Sequence, residues 1–271
     1  MTLTVFDDVI QGTDEWFDQR RGMITASTVG QLITVRKLGA IEFDCPACDA
    51  PANDPCRSKA KAGAVIKTLH PERAEVARLS GETVIEPSDG SDYSRSLSLL
   101  LVAERITGWT DPTFVSDDMM RGIEEEPFAR AKYAEHYAPV TETGFMVEDR
   151  WGFKIGYSPD GLVGDDGLIE IKSRRSKTQL ATILSGAVPT ENMAQLQCGL
   201  LVSGRKWIDY VSWCGGMPMY IQRVYPDPQW QNAIIAAVAQ FEENAEQMIR
   251  NYREAIVGLH ATEKTPREIF I

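Results

Sequence analysis

The sequence predicts an α/β protein in which a central mixed β-sheet is flanked by helices and a small zinc-binding insertion interrupts the core. Three observations predict it. The apolar pattern changes period along the chain, and the order it gives is helix, helix, strand, strand, strand, helix, strand, strand, helix. The stretch Gly156 to Lys172, GYSPDGLVGDDGLIEIK, sets two short apolar runs about a Gly-Asp-Asp-Gly turn, the pattern of an antiparallel hairpin. Between residues 45 and 70, large apolar residues are scarce, and three cysteines and a histidine stand in the same interval.

A chain of 271 residues can bury one large core, or a main domain with a small appendage. A hydrophobic share of 43% and a charged share of 25% are ordinary for a globular chain and exclude wholesale disorder. The sequence has no apolar run of about 18 residues, the length a membrane helix needs. The opening MTLTVFDDVIQGTDEW lacks the basic and apolar regions of a secretory signal, so a cytoplasmic protein is expected. The net charge of −11 argues against a general nucleic-acid coat protein, but not against an enzyme with a local basic groove. Basic clusters at Arg20–Arg21, at 57–67 and at 172–177 show that the charge is uneven.

Taken in order, Thr13 is an N-cap with Asp14 and Glu15 in the first turn, where carboxylates favour the helix dipole. Trp16 faces the core and Arg20, one turn on, shares its side. Ser27 reads as a second N-cap before Val29, Leu32 and Ile33. A hydroxyl at a helix N-terminus can seat a phosphate; plain capping is the competing reading. Residues 93–107 form a buried helix, with Leu97, Leu100, Leu101 and Ile106 apolar, stopped by Gly108. Another helix starts near Ser116; on it Glu126 faces the same way as Arg130 and Tyr133, whereas a solvated acidic face is the plainer reading of Glu124–Glu126.

Beyond the hairpin, residues 190–203 form a helix with Thr190 as its cap and Met193, Leu196, Leu200 and Leu201 as its stripe, stopped by Gly204. Gln195 and Gln197 fall off that stripe, and a glutamine beside a metal site can hold a water or a phosphate. Two alternating runs joined across Gly215–Gly216 read as a final strand pair, and Pro228–Val257 as a long amphipathic helix carrying Trp230, Ile234, Ala237, Phe241 and Met248. The last dozen residues have no clear pattern and fit a tail or an oligomer contact.

Cys45, Cys48, Cys56 and His70 follow C-x2-C-x7-C-x13-H. A segment so poor in apolar residues cannot fold by burying a core, but these ligands can hold it around zinc. Such binding is worth roughly 10–16 kcal/mol in peptides. A cytosolic location disfavours disulfides. Arg57, Lys59, Lys61, Lys67 and Arg73 make this segment a candidate DNA contact, with a solvated surface as the alternative. Cys198 and Cys214 lie in apolar surroundings and are expected in the core. The chain therefore divides into residues 1–39 and 91–271, the two parts of a core, and an insertion at 40–90.

Alternation along a strand sends Glu170 and Lys172 to one face and Ile171 into the core. Asp160, ten residues before Glu170, falls on or just before the partner strand. Two carboxylates and an ammonium at one end of a hairpin suit a divalent metal with a positioned water.

Asp160-x9-Glu170-x-Lys172, with Pro159 before it, fits the PD-(D/E)xK nuclease pattern. Three further stretches accompany it in order. WFDQRRGMITAS resembles the W-x3-R-x-G-x-I-T-A-S signature of the phage lambda exonuclease, or YqaJ-type viral recombinase, family. GIEEEPFAR is similar to that family's G-x3-E helix, and NMAQLQ to its M-A-Q-x-Q helix. Together these motifs cover most of residues 12–215, while residues 40–90 depart from the family pattern.

The resemblance implies a restriction-endonuclease-like core and a metal-dependent 5′→3′ exonuclease acting on double-stranded DNA ends, with the duplex threaded through a ring-shaped homotrimer. It implies Mg²⁺ (or Mn²⁺) held by Asp160, Glu170 and the Ile171 carbonyl, with Glu126 completing a two-metal site. Lys172 would orient and help deprotonate the attacking water, and Gln195 would position the water or the scissile phosphate. Arg20 would take the 5′-phosphate, with Ser27 beside it. A single-strand annealing protein as partner and a phage or prophage origin in a bacterial host follow from the same resemblance. The alternatives are a PD-(D/E)xK endonuclease or a Cas4-like exonuclease, and a non-catalytic zinc-containing protein that binds DNA ends.

Overall fold

The computed structural model describes residues 3–58, 63–88, 90–111 and 115–264. Lys59, Lys61 and most of the expected tail lie outside these residues. In chain order the elements begin with β1 (Thr4–Phe6), α1 (Asp14–Arg20), β2 (Ile24–Thr25), α2 (Ala26–Val29) and β3 (Ile33–Lys37). They continue with α3 (Pro71–Ser80), β4 (Thr83–Pro87), α4 (Asp92–Thr107) and α5 (Asp117–His136). Then come β5 (Phe145–Glu148), β6 (Ile155–Tyr157), β7 (Gly161–Val163) and β8 (Gly167–Ser173). The remainder is α6 (Ser176–Ser185), α7 (Thr190–Ser203), β9 (Trp207–Trp213), β10 (Tyr220–Val224) and α8 (Pro228–Ala255).

The mixed α/β class holds, but the strands divide between two four-stranded sheets, ordered β1-β5-β6-β2 and β10-β9-β8-β7, and a separate β3-β4 ribbon. The second sheet is built on the hairpin. β7 pairs antiparallel with β8 in the register Gly161–Ile169, and β8 runs parallel to β9. The Gly-Asp-Asp-Gly turn therefore forms as its residues dictate, with Gly164 at φ +53°. Gly156 and Tyr157, by contrast, belong to β6 of the first sheet, so the stretch crosses from one sheet to the other at Ser158–Asp160.

Alternation on β8 sorts its neighbours. Leu168 joins the main core with Leu196 and Leu200 of α7, Tyr157, and Trp230, Ile234 and Phe241 of α8. Ile169 and Ile171 join a smaller cluster with Ala129 and Tyr133 of α5 and Val211 of β9. Helix α7 is buried along most of its length, and Gly199 lets it approach β6: a Cβ there would lie 2.8 Å from the Tyr157 ring. Helix interiors tolerate such a glycine when close packing repays its conformational cost.

Several local expectations hold: Thr13 and Ser116 are N-caps, Gly108 and Gly204 close their helices in the left-handed region, and α8 buries the expected stripe except for Met248, which is half-buried. Others do not. Thr25, not Ser27, caps α2, because the Thr28 hydroxyl accepts from Thr25 N (3.1 Å) one residue pair earlier than the spacing suggested. That helix has only four residues, and Ile33 starts a strand. Pro189 takes the N-cap place assigned to Thr190. Leu100 is exposed on α4, with Leu97, Leu101 and Val102 facing the core instead. Cys198 is in the core, but Cys214 sits half-buried in the β9–β10 connection with its thiol toward Gly215 O. Among the described residues no helix is long and apolar enough to cross a membrane.

Candidate functional site

One cavity of about 320 Å³ is lined by Arg20, Ser27, Glu126, Asp160, Glu170, Ile171, Lys172 and Gln195, residues that come from α1, α2, α5, β8, α7 and the β6–β7 junction. The strand period explains the centre of the site. Glu170 and Lys172 leave β8 on the same face, and the Lys172 ammonium donates to Glu170 Oε1 (2.8 Å) and to Gln195 Oε1 (2.8 Å). Gln195 Nε2 in turn donates to the same Glu170 oxygen (2.5 Å), and Tyr157 donates its hydroxyl to the other (3.3 Å). Asp160 approaches from the chain crossing, where its Oδ2 accepts from Ile171 N (2.6 Å). Glu126 completes the wall from α5; it pairs with Arg130 one turn on, and Arg130 also donates to the Asp160 carbonyl (2.8 Å).

Of the three consecutive glutamates only Glu126 lines the cavity. Glu125 accepts from Ser173 Oγ and Glu124 is exposed. Gln197, read as a second polar contact, is instead a buried brace: it donates to Tyr225 O (2.8 Å) and accepts from Asp227 N (2.8 Å), fixing the entry to α8.

The other end of the cavity is cationic. Arg20 stacks over the Trp16 ring at 3.9 Å, and Trp16 Nε1 donates to Ser158 Oγ (2.9 Å), which ties α1 to the residue two before Asp160. Arg20 Nη2 donates to Thr25 Oγ1 (3.1 Å) and to Ser27 Oγ (3.2 Å). The guanidinium and two hydroxyls thus make a side-chain cluster with the chemistry to hold an anion, where the sequence points to a helix N-terminus around Ser27. Thr25 lies within the WFDQRRGMITAS stretch, and Tyr157 and Ser158 within GYSPDG, but the sequence assigns them no role at the site; the fold brings their hydroxyls there.

Burial, followed by the charges of Glu170 and Glu126, pushes the Asp160 carboxyl well above its ordinary range. Burial also raises Glu126, with Arg130 opposing and Glu170 adding to the shift. For Lys172, burial works against the charged form, but Glu170 and Asp160 outweigh it and the ammonium is favoured. Burial draws the Arg20 guanidinium down to about 10, against the pull of Glu104. Crowded carboxylates that resist ionisation fit a divalent cation, and their hard oxygens are the donors Mg²⁺ or Mn²⁺ takes. The Glu170 carboxylate is turned toward Lys172 and Gln195.

The ligand atoms of Cys45, Cys48, Cys56 and His70 all lie within 4.8 Å of one another, a set of donors suited to tetrahedral zinc. The surrounding fold explains how so little apolar matter holds them. Arg73 on α3 is fully buried, and its guanidinium donates to the carbonyls of Phe43 (2.6 Å), Asp54 (2.7 Å), Ile41 (3.0 Å) and Pro51 (2.7 Å) and to Cys56 Sγ (3.5 Å). Arg57 N donates to Cys48 Sγ (3.4 Å). Arg73, expected as a surface cation, is the hub of the segment, because five N–H donors on one planar group can satisfy several loop carbonyls at once.

Residues 82–206 match the family model described as "YqaJ-like viral recombinase domain", and residues 11–88 match one described as "Putative DNA-binding phage zinc finger domain". No curated protein matches the chain by sequence. Among solved structures, the chain is similar to an alkaline exonuclease (LHK-Exo) from Laribacter hongkongensis, with 26% identity and a TM-score of 0.62, covering 90% of this chain and 100% of that one. A complex of LHK-Exo with dAMP matches over the same shares, with 26% identity and a TM-score of 0.60.

Proposed function

Residues 82–206 match the YqaJ-like viral recombinase domain model, and from that premise we propose that this chain is a metal-dependent exonuclease that degrades double-stranded DNA from its ends. The observation that carries the proposal is the single cavity in which an arginine–hydroxyl anion seat faces a cluster of three carboxylates and a lysine. We further propose the 5′→3′ direction, with 3′ single-strand overhangs as the product handed to a single-strand annealing protein in phage-type recombination.

Asp160, Glu170 and the Ile171 carbonyl are the proposed ligands of Mg²⁺ or Mn²⁺, with Glu126 completing a two-metal arrangement. Bound there, the metal supplies Lewis acidity toward the phosphodiester and a nucleophile at neutral pH. It would also offset the negative charge that otherwise repels an acidic polymer, which reconciles the net charge of −11 with a DNA substrate. Arg20, with Ser27 and Thr25 at its guanidinium, is the proposed seat of the 5′-phosphate of the shortened strand. Trp16 lies under that guanidinium and keeps its flat face from rotating out of the cavity. Lys172 and Gln195 share Glu170 Oε1 and can turn a donor each toward an incoming phosphate or water. A protonated lysine orients water by donation; removal of the water's proton requires Lys172 to give up its own first.

The segment held by Cys45, Cys48, Cys56 and His70 is proposed as a structural zinc module at the DNA-binding surface, with the domain division 1–39, 40–90 and 91–271. The β3–β4 ribbon, paired from Ile33–Pro87 to Lys37–Thr83, brackets the segment between residues 38 and 82, and β4 itself, at the end of the proposed insertion, packs Ile85 on the main core. A homotrimer and action in a bacterial cytoplasm, on a phage or prophage genome, complete the proposal.

Digestion in Mg²⁺ of the same duplex in linear and covalently closed circular form tests the reading. Nucleotide release from the linear form alone is expected. Nicking of the closed form would favour an endonuclease, and duplex-end binding without release in Mg²⁺ or Mn²⁺ would favour a non-catalytic end binder.

A further inference from the structure

Two consecutive residues of α4 grip one peptide of the loop that carries the cavity's arginine. Gly22 N donates to Glu104 Oε2 (2.7 Å), and Arg105 Nε donates to Gly22 O (2.6 Å). Both polar groups of Gly22 are therefore held from one helix, two residues after Arg20. Gly22 lies at φ +64°, in the left-handed region, and a Cβ there would come within 2.5 Å of Arg105 Cγ and 3.2 Å of Leu101 O. Only glycine meets both the dihedral and the close approach. Arg105 is itself fixed by a two-pronged pair with Glu242 of α8 (2.6 and 2.7 Å). The Glu104 side chain is buried, and its charge supports the ionised form of the Arg20 guanidinium against burial.

We propose that Glu104 and Arg105 are positioning residues that set the Arg20 guanidinium for the 5′-phosphate, by clamping Gly22 at the turn between α1 and β2. Neither residue touches that phosphate; each acts through the loop. The chain of contacts runs Glu242, Arg105, Gly22, Arg20, so a helix outside the catalytic cavity fixes how the end of the duplex is read. A buried carboxylate that accepts a main-chain N–H holds the loop more firmly than a neutral acceptor, because the hydrogen bond is charge-assisted. This inference rests on the assignment of Arg20 to the 5′-phosphate.

The test is the ratio of affinities for 5′-phosphorylated and 5′-hydroxyl duplexes of one sequence, measured by fluorescence anisotropy in magnesium-free buffer with the full-length protein. Melting temperature and zinc content report folding for each variant. A general loss of structure weakens both duplexes alike and leaves the ratio unchanged, whereas a misplaced Arg20 lowers it. Wild type is expected to prefer the phosphorylated end, and Glu104→Ala to reduce that preference by about tenfold or more, the scale of one charge-assisted hydrogen bond. Glu104→Gln, whose amide oxygen still accepts from Gly22 N, is expected to keep most of it. A Glu104→Ala protein with the wild-type ratio would overturn the clamp, and so would a Glu104→Gln protein as impaired as Glu104→Ala. Wild type with no preference for the phosphorylated end would overturn the assignment of Arg20 and the clamp with it, a result distinguishable from failure of the clamp alone.

Discussion

The Lys172 ammonium lies 2.8 Å from Glu170 Oε1, two residues back on the same strand, and 2.8 Å from Gln195 Oε1 on the helix that covers that strand. The contact with Glu170 follows from alternation alone. The contact with Gln195 depends on how α7 packs, through Gly199 against Tyr157 and Leu196 in the main core. The candidate site is thus half a property of one hairpin and half a property of the fold around it.

Asp160→Asn is expected to make the metal-free protein more stable. The carboxyl's folded value is raised, so the folded state binds more protons than the unfolded chain above the ordinary carboxylate pKa of about 4. Stability then falls as pH climbs from that point toward the raised value. The asparagine keeps an acceptor for Ile171 N and carries no charge. Thermal melts without divalent cation should show the variant matching wild type near pH 4 and gaining roughly 0.5–2 kcal/mol at pH 8. A gain independent of pH would contradict the electrostatic origin of the effect.

Added Mg²⁺ or Mn²⁺ should reverse that order. Wild type is expected to gain stability with metal, and to gain more at pH 8 than at pH 5, because the ligands must be deprotonated. The Asp160→Asn protein should show little of this gain. Differential scanning fluorimetry across a metal titration at the two pH values measures it, and equal metal stabilisation of both proteins would rule out Asp160 as a ligand.

Replacing Arg20 by alanine should remove discrimination between 5′-phosphate and 5′-hydroxyl ends, with a loss of about tenfold to a hundredfold on the phosphorylated duplex. Ser27→Ala should cost less, because Thr25 remains at the guanidinium. Steady-state digestion of the two duplexes gives both numbers; an Arg20→Ala enzyme that still prefers the phosphate would locate the seat elsewhere.

In the zinc segment, Arg73→Ala should cost roughly 3 kcal/mol or more, since four loop carbonyls lose a buried donor together. Hydrogen exchange should show residues 41–58 and 63–80 deprotected while α7 and β8 stay protected. The same regional pattern is expected for Cys56→Ala, with loss of bound zinc measured by metal analysis. Uniform deprotection would mean that the segment and the core fold as one unit.

How legible all this was depends on the range of the interactions. Thr13, Ser116 and Gly108 act within one turn of their own helices, and the sequence around each is enough to assign them. Glu126 stands out among its neighbours through the hairpin acids and the resemblance of GIEEEPFAR to the G-x3-E helix, and α5 does turn it into the cavity. Ser27 misled because the hydroxyl of Thr28 reaches back to Thr25 N and moves the cap two residues, a competition between adjacent hydroxyls that spacing does not resolve. Polarity alone places Gln197 and Arg73 at the surface or at a site. Their partners are main-chain atoms of distant loops, the acceptors and donors that a buried polar side chain needs and a linear pattern does not display. The division of the strands into two sheets likewise rests on pairings such as Ile24 with Ile155, far apart in the chain.

The central claim is that the Asp160, Glu170 and Lys172 cluster cuts DNA from its ends. The most direct test is the initial rate of nucleotide release from linear duplex in Mg²⁺ by wild type and by Asp160→Asn, each shown to be folded and to hold zinc. Release by wild type and a drop of roughly a thousandfold in the variant are predicted. An Asp160→Asn protein that releases nucleotides at the wild-type rate would contradict the account.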